Sequence, residues 1–215
     1  MFSVIFDMDG TLLDTQRICI PAWEYAGKEQ GVKGMGDHIA NVCGMNKYGS
    51  DKYLADNFPN IDLEKFRTDS RNYIIENLVV SFKSGAKELL DFLKKNGIKI
   101  GLASGTSRGS VMHHLNEVGV ADFFDAIVCG TEVKKGKPEP DIFLQTASLL
   151  GVKPQDCFVF EDSANGIKAG HSAGMKCIGI ADIVPFSDEV KMLMYKELSS
   201  MEEAIEIFDF LLKSE

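Results

Sequence analysis

The sequence predicts an α/β fold: a mainly parallel sheet covered by helices, interrupted near its start by an all-helical insertion. Three observations carry that expectation. Short runs rich in Val, Ile or Phe recur along the chain, each followed by polar, Gly or acidic residues. From residue 84 onward these runs alternate with segments of helical periodicity. Between residues 15 and 80 the alternation stops, and no convincing strand is present.

The elements follow in order. Phe2-Ser3-Val4-Ile5-Phe6 reads as the first strand, ended by the acidic, Gly-containing stretch Asp7 to Asp14. In the insertion, Ala22, Trp23 and Ala26, then Phe66, Tyr73, Ile74 and Asn77, suit amphipathic helices punctuated by Gly31, Gly34, Gly36, Gly44 and Gly49. Ser84 is placed to cap a helix whose Ala86, Leu89, Leu90 and Leu93 share one face, with Gly97 as its stop. Ile98 to Ala103 is the second strand, and Val111, Met112, Leu115 and Val118 mark a helix before Gly119. Ala126 to Cys129 is the third strand. Pro140 opens a helix that Gly151 stops, since proline is tolerated in a first turn. Cys157 to Phe160 and Lys176 to Ile180 are the fourth and fifth strands, and Ser200-x-x-Glu203 reads as a capping box for a last helix through Phe208 and Leu211. The expected domains are a core of residues 1–14 and 81–215 and a helical domain of 15–80.

Composition narrows the function. At 215 residues the chain is longer than one average domain without filling two. Its formal charge of −9 repels phosphate backbones and anionic lipid, so nucleic-acid and membrane-surface binding are disfavoured. No apolar run approaches the roughly 18 residues that span a bilayer, and the N-terminus lacks the basic leader of a signal peptide. Five scattered cysteines without a Cys-x-x-Cys read as reduced thiols of a cytoplasmic protein. His113 and His114 are adjacent, so on a helix they diverge and form no zinc site.

Ligands of an open parallel sheet gather at the carboxyl ends of its strands. Asp7-Met8-Asp9-Gly10-Thr11 follows the first strand, Ser104-Gly105-Thr106 the second and Glu161-Asp162-Ser163 the fourth, with Lys137 in the loop after the third. Four carboxylates, a hydroxyl and a lysine thus converge on one edge. Crowded carboxylates repel unless they titrate upward or share a cation. A hard ion such as Mg²⁺ suits them, pairing carboxylates with substrate phosphate and reversing the local field. Ser104 and the backbone N–H groups of Gly105 and Thr106 suit a phosphate cradle, and Lys137 adds a point charge. One carboxylate can attack phosphorus while a second handles the leaving group's proton.

Asp7-x-Asp9-Gly10-Thr11-Leu12-Leu13-Asp14, the strand ending in Ser104, Gly136-Lys137-Pro138-x-Pro140 and Glu161-Asp162 together resemble the four motifs of the haloacid dehalogenase (HAD) superfamily. The nearest branch by resemblance is the sugar-phosphate phosphatase and β-phosphoglucomutase group, and the resemblance covers nearly the whole chain. It implies a modified Rossmann fold of sheet order 5-4-1-2-3 with a helical cap. It implies Asp7 as nucleophile, Asp9 as general acid/base, and Ser104 and Lys137 on the phosphoryl group. Mg²⁺ is then held by Asp7, the Asp9 carbonyl and Asp162, with Glu161 direct or through water. Asp9 argues against dehalogenases and phosphonatases, which lack that aspartate. Mutases of the β-phosphoglucomutase type carry a histidine near the position of Cys19, so a phosphatase acting on a small phosphate ester is favoured. Cys43-Gly44-Met45-Asn46-Lys47 resembles the family's cap loop, with Lys47, Thr106 and Arg108 as further candidate substrate contacts; Trp23 is weighed as a substrate platform and as helix core.

Two rival classes compete. Gly105-Thr106-Ser107-Arg108-Gly109 matches the nucleophile elbow of serine esterases and is followed by His171, but that reading leaves Asp7, Asp9 and Lys137 without roles. A receiver-type phospho-acceptor module shares the acidic pocket, yet has no place for the helical insertion.

Overall fold

The structure, a computed structural model, describes residues 2–43 and 47–214, without the side chains of Lys47 and Tyr48. The chain divides into two compact units, Met1–Asp14 with Val80–Glu215, and Thr15–Val79.

The first unit is built on six parallel strands: β1 (Ser3–Phe6), β2 (Ile100–Ser104), β3 (Ala126–Cys129), β4 (Cys157–Glu161), β5 (Lys176–Gly179) and β6 (Lys196–Glu197). They lie in the order β3-β2-β1-β4-β5-β6. This is the expected 5-4-1-2-3 read from the opposite edge, with β6 added. Every residue of β1, β2 and β4 is buried, as in strands covered on both faces. The period of two divides the core: Val4 and Phe6 join Leu102, Phe158 and Phe160 on one face, while Ile5, Ala103, Val128 and Val159 pack on the other.

The first face is closed by α5 (Ala86–Lys95), α6 (Arg108–Glu117) and α10 (Glu202–Lys213), the second by α7 (Asp141–Leu150) and α8 (Ala164–Ser172). Leu89, Leu90 and Leu93 are the buried face of α5, as their spacing predicts. Two cap expectations need correction. The residue before α5 is Gly85, at φ 74°, and Ser84 makes no cap. Its hydroxyl and carbonyl instead meet Glu202 and the Met201 N–H at the start of α10. A Cβ on Gly85 would lie 2.4 Å from the Glu202 nitrogen, so close helix packing and φ both require glycine there. Met201 precedes α10 without a side-chain cap, and Glu203 accepts from the Ser199 N–H rather than closing a box with Ser200. Short α9 (Asp188–Lys191) and two-residue β6 carried no sequence signal.

Every regular element described in the second unit is helical: α1 (Cys19–Lys28), α2 (Ile39–Val42), α3 (Lys47–Asn57) and α4 (Leu63–Asn77), with a 3₁₀ turn at Met35–His38. Trp23 is buried edge-on against Phe66, with the Arg67 guanidinium 5.6 Å from its ring centre. It is helix core. No helix among the described residues is long and apolar enough to cross a membrane.

Candidate active site

The chain reverses sharply after β1. Gly10, at φ 80°, permits a turn in which Leu12 and Leu13 donate to the Met8 carbonyl and Gly10 donates to that of Leu13. Met8, Leu12 and Leu13 are wholly buried, which leaves Asp7 and Asp9 at the sheet's carboxyl edge.

Asp7 is buried, and its Oδ1 accepts from the Lys137 ammonium at 2.5 Å. The same ammonium reaches Glu161 Oε1 at 2.5 Å and the Ala103 carbonyl at 3.0 Å. Glu161 Oε2 accepts from the backbone and hydroxyl of Ser163, which itself caps α8 by accepting from the Gly166 N–H. The carboxylate therefore sits at a helix N-terminus. Gly166 makes room for it: a Cβ there would stand 1.8 Å from the Glu161 carboxyl carbon. Thr11 Oγ1 donates to Asp162 Oδ1 at 3.1 Å. Asp9 Oδ2 accepts from Thr106 Oγ1 at 2.6 Å and from Ser104 Oγ at 3.4 Å.

Burial governs the electrostatics. It pushes the Asp7 carboxyl well above its ordinary range, reinforced by Glu161, Asp162 and Asp9 and opposed by Lys137. Burial, then Glu161, pushes Asp162 up to about 7, against the Thr11 hydrogen bond and Lys137. For Lys137 burial acts downward, but Asp7 and Glu161 outweigh it and hold the ammonium charged above the usual lysine value.

Asp7, Glu161 and Asp162 each offer an oxygen, all within 4.8 Å of one another. Three buried carboxylates faced by one lysine leave negative charge in excess, and the donors are all hard oxygens. That set fits Mg²⁺.

The structure thus gathers Asp7, Asp9, Ser104, Thr106, Lys137, Glu161 and Asp162. It differs from the sequence reading at the phosphate loop, because α6 begins at Arg108 and the Thr106 N–H is bonded to Ser104 Oγ at 3.1 Å. Arg108 forks onto Glu132 and the Ile127 carbonyl. Gly44–Asn46 and the Lys47 side chain lie outside the described residues. Ser107 caps α6 through the Ser110 N–H, and His171 meets the Leu193 carbonyl, so neither joins the other as an esterase pair. Sequence reasoning assigned no role to Thr11, Ser163 or Gly166. Their signal lay in adjacency: each stands within five residues of an assigned carboxylate.

A doubly wound core that brings a buried aspartate, a second aspartate, a hydroxyl and a lysine to one strand edge suits phosphoryl transfer, and with the family match and relatives that follow, it marks a hydrolase of phosphoric monoesters. Residues 4–180 match the haloacid dehalogenase-like hydrolase family, and the chain belongs to it. It is 32% identical over 182 residues to a phosphorylated carbohydrates phosphatase of Thermotoga maritima, covering 83% of this chain and 84% of that protein. It is 32% identical over 195 residues to β-phosphoglucomutase of Bacillus subtilis, covering 86% and 85%. Among solved structures, a HAD family hydrolase of Deinococcus radiodurans with bound phosphate and sodium superposes with a TM-score of 0.81 at 26% identity, covering 95% and 93%.

Proposed function

We propose that this protein is a Mg²⁺-dependent phosphatase that hydrolyses small phosphomonoesters, sugar phosphates or similar metabolites, through a phosphorylated Asp7. The observation that carries the reading is the buried Asp7 carboxylate, 2.5 Å from the Lys137 ammonium, with Asp9 two residues on beside Ser104 and Thr106. In the first step an Asp7 oxygen attacks phosphorus, forming an acyl phosphate as the ester P–O bond breaks. The Asp9 carboxyl gives its proton to the departing alkoxide. In the second step the Asp9 carboxylate takes a proton from water as the water oxygen attacks phosphorus, and inorganic phosphate leaves with Asp7 restored. Lys137, Ser104 and the Gly105 N–H bind the phosphoryl oxygens where charge is spread in transfer.

Asp7, the Asp9 carbonyl and Asp162 would hold Mg²⁺, with Glu161 direct or through water; bound there, the ion supplies neutralisation of phosphoryl charge. The helical unit serves as the cap that excludes water, and Lys47 as its contact to substrate. A relative acting on phosphorylated carbohydrates supports the sugar-phosphate class. The similarity to β-phosphoglucomutase favours a second reading, transfer back to sugar. Cys19, where such mutases carry histidine, weighs against it.

A phosphate-release screen over a metabolite panel that includes β-glucose 1-phosphate tests both. Phosphate release that EDTA abolishes and Mg²⁺ restores is expected. Metal-independent hydrolysis contradicts the site, and conversion to glucose 6-phosphate without phosphate release selects the mutase.

A further inference from the structure

β2 and β3 are neighbours whose last residues, Ser104 and Cys129, pair directly. The two loops that leave them have different tasks. The first begins at Ser104 and carries Thr106, and these two hold Asp9; the other runs on to Lys137, which holds Asp7. Catalysis through both aspartates therefore depends on the register of one loop against the other.

Two features fix that register. A Cβ on Gly130 would stand 2.3 Å from the Gly105 carbonyl oxygen, so the loops touch backbone to backbone. Beside that contact, Arg108 Nε and Nη2 fork onto the Glu132 carboxylate, and Nη2 also donates to the Ile127 carbonyl at 2.7 Å. Glu132 Oε2 in turn accepts from the Cys129 N–H at 3.1 Å, so the pair grips both the end of β3 and the loop beyond it. The Arg108 hydrogen bond holds the Glu132 carboxyl below its ordinary range, consistent with an ionised partner.

We infer that Arg108 and Glu132 act together as positioning residues, a clamp that sets the phosphate loop against the Lys137 loop. Their side chains are 47% and 29% exposed, and ion pairs that open to water contribute little to stability. A planar, bidentate fork nevertheless fixes orientation as a point charge does not. Displacements near 1 Å cost up to about 10²-fold in rate, so a pair worth little in stability is worth much in alignment.

The inference rests on the phosphatase reading, and steady-state kinetics with p-nitrophenyl phosphate and a panel of sugar phosphates separates the two. Arg108→Ala and Glu132→Ala should each lower kcat by roughly 10- to 100-fold on every substrate, with KM nearly unchanged. The double variant should lose no more than either single one, as expected when two groups act as a unit. Glu132→Gln keeps an acceptor for the Cys129 N–H and carries the same prediction, more mildly, should Glu132→Ala fail to fold. Additive losses overturn the clamp. So does a KM increase for Arg108→Ala confined to substrates with a distal charged group while Glu132→Ala stays active, because Arg108 would then touch substrate. A wild-type protein inert toward the whole panel overturns the phosphatase reading itself.

Discussion

The two units of this chain treat charge in opposite ways. In the helical unit the apolar side chains Ala22, Trp23, Ala26, Leu54 and Phe66 are buried, while Lys52–Asp56 and Lys65–Asp69 pair along exposed helix faces. The Arg67–Asp51 pair there stays about a quarter exposed. At the strand ends of the other unit, Asp7, Glu161 and Asp162 are buried around one lysine. Nothing about folding a parallel sheet requires that arrangement, and desolvating three carboxylates opposes it. The difference teaches where burial works against stability: the helical unit buries its apolar side chains, whereas the strand edge buries charge, as the proposed binding of a phosphoryl group and a cation requires.

That contrast can be broken most sharply at Asp7. Asp7→Asn should lower phosphatase turnover by at least about 10⁴-fold. In the metal-free protein its melting midpoint should rise, because the substitution removes a buried charge that its surroundings disfavour. Retained turnover, or a collapse of the fold, would remove the contrast.

Next comes Lys137→Ala, which leaves Asp7 and Glu161 facing each other without their shared cation. Denaturant titration should show a loss of about 3–5 kcal/mol, the usual cost of breaking a buried pair. Trp23→Ala should cost a similar ~3–5 kcal/mol for the opposite reason, a cavity beside Phe66. Salt should change neither much, since both sites are shielded from solvent.

A smaller effect is expected from pH. Asp162 titrates near 7 in the metal-free fold against about 3.9 unfolded. A raised carboxyl contributes stability that is full below the unfolded value and is lost as pH rises through the folded one. Thermal scans without metal should therefore show that contribution falling between about pH 4 and 7, and Mg²⁺ should offset the loss at the upper end. At the bottom of the scale, Lys65→Ala on exposed α4 should leave the melting midpoint and activity unchanged.

Most of the core was legible in the sequence because buried parallel strands announce themselves as short apolar runs ended by glycine or acids. β6 was not, since Lys196 and Glu197 are both exposed and gain strand geometry only from pairing with β5. The Ser84 cap was misread because the start of α10, 118 residues downstream, competes for the same hydroxyl. At the site, residue types and spacing pointed to the acids and Lys137. The aim of Arg108 was not readable, for its partner Glu132 lies 24 residues away on another loop. The hydrogen bond from Thr11 to Asp162 likewise emerges only once the strand ends are brought together, whereas that from Ser163 to Glu161 is local to the end of β4.

The central claim is that Asp7 becomes covalently phosphorylated. Rapid quenching during turnover with Mg²⁺, followed by borohydride reduction and peptide mass spectrometry, tests it directly. The account predicts reduction of an acyl phosphate to homoserine at Asp7 and at no other carboxylate. Turnover with unmodified Asp7, or label on Asp9 or Asp162 instead, would contradict it.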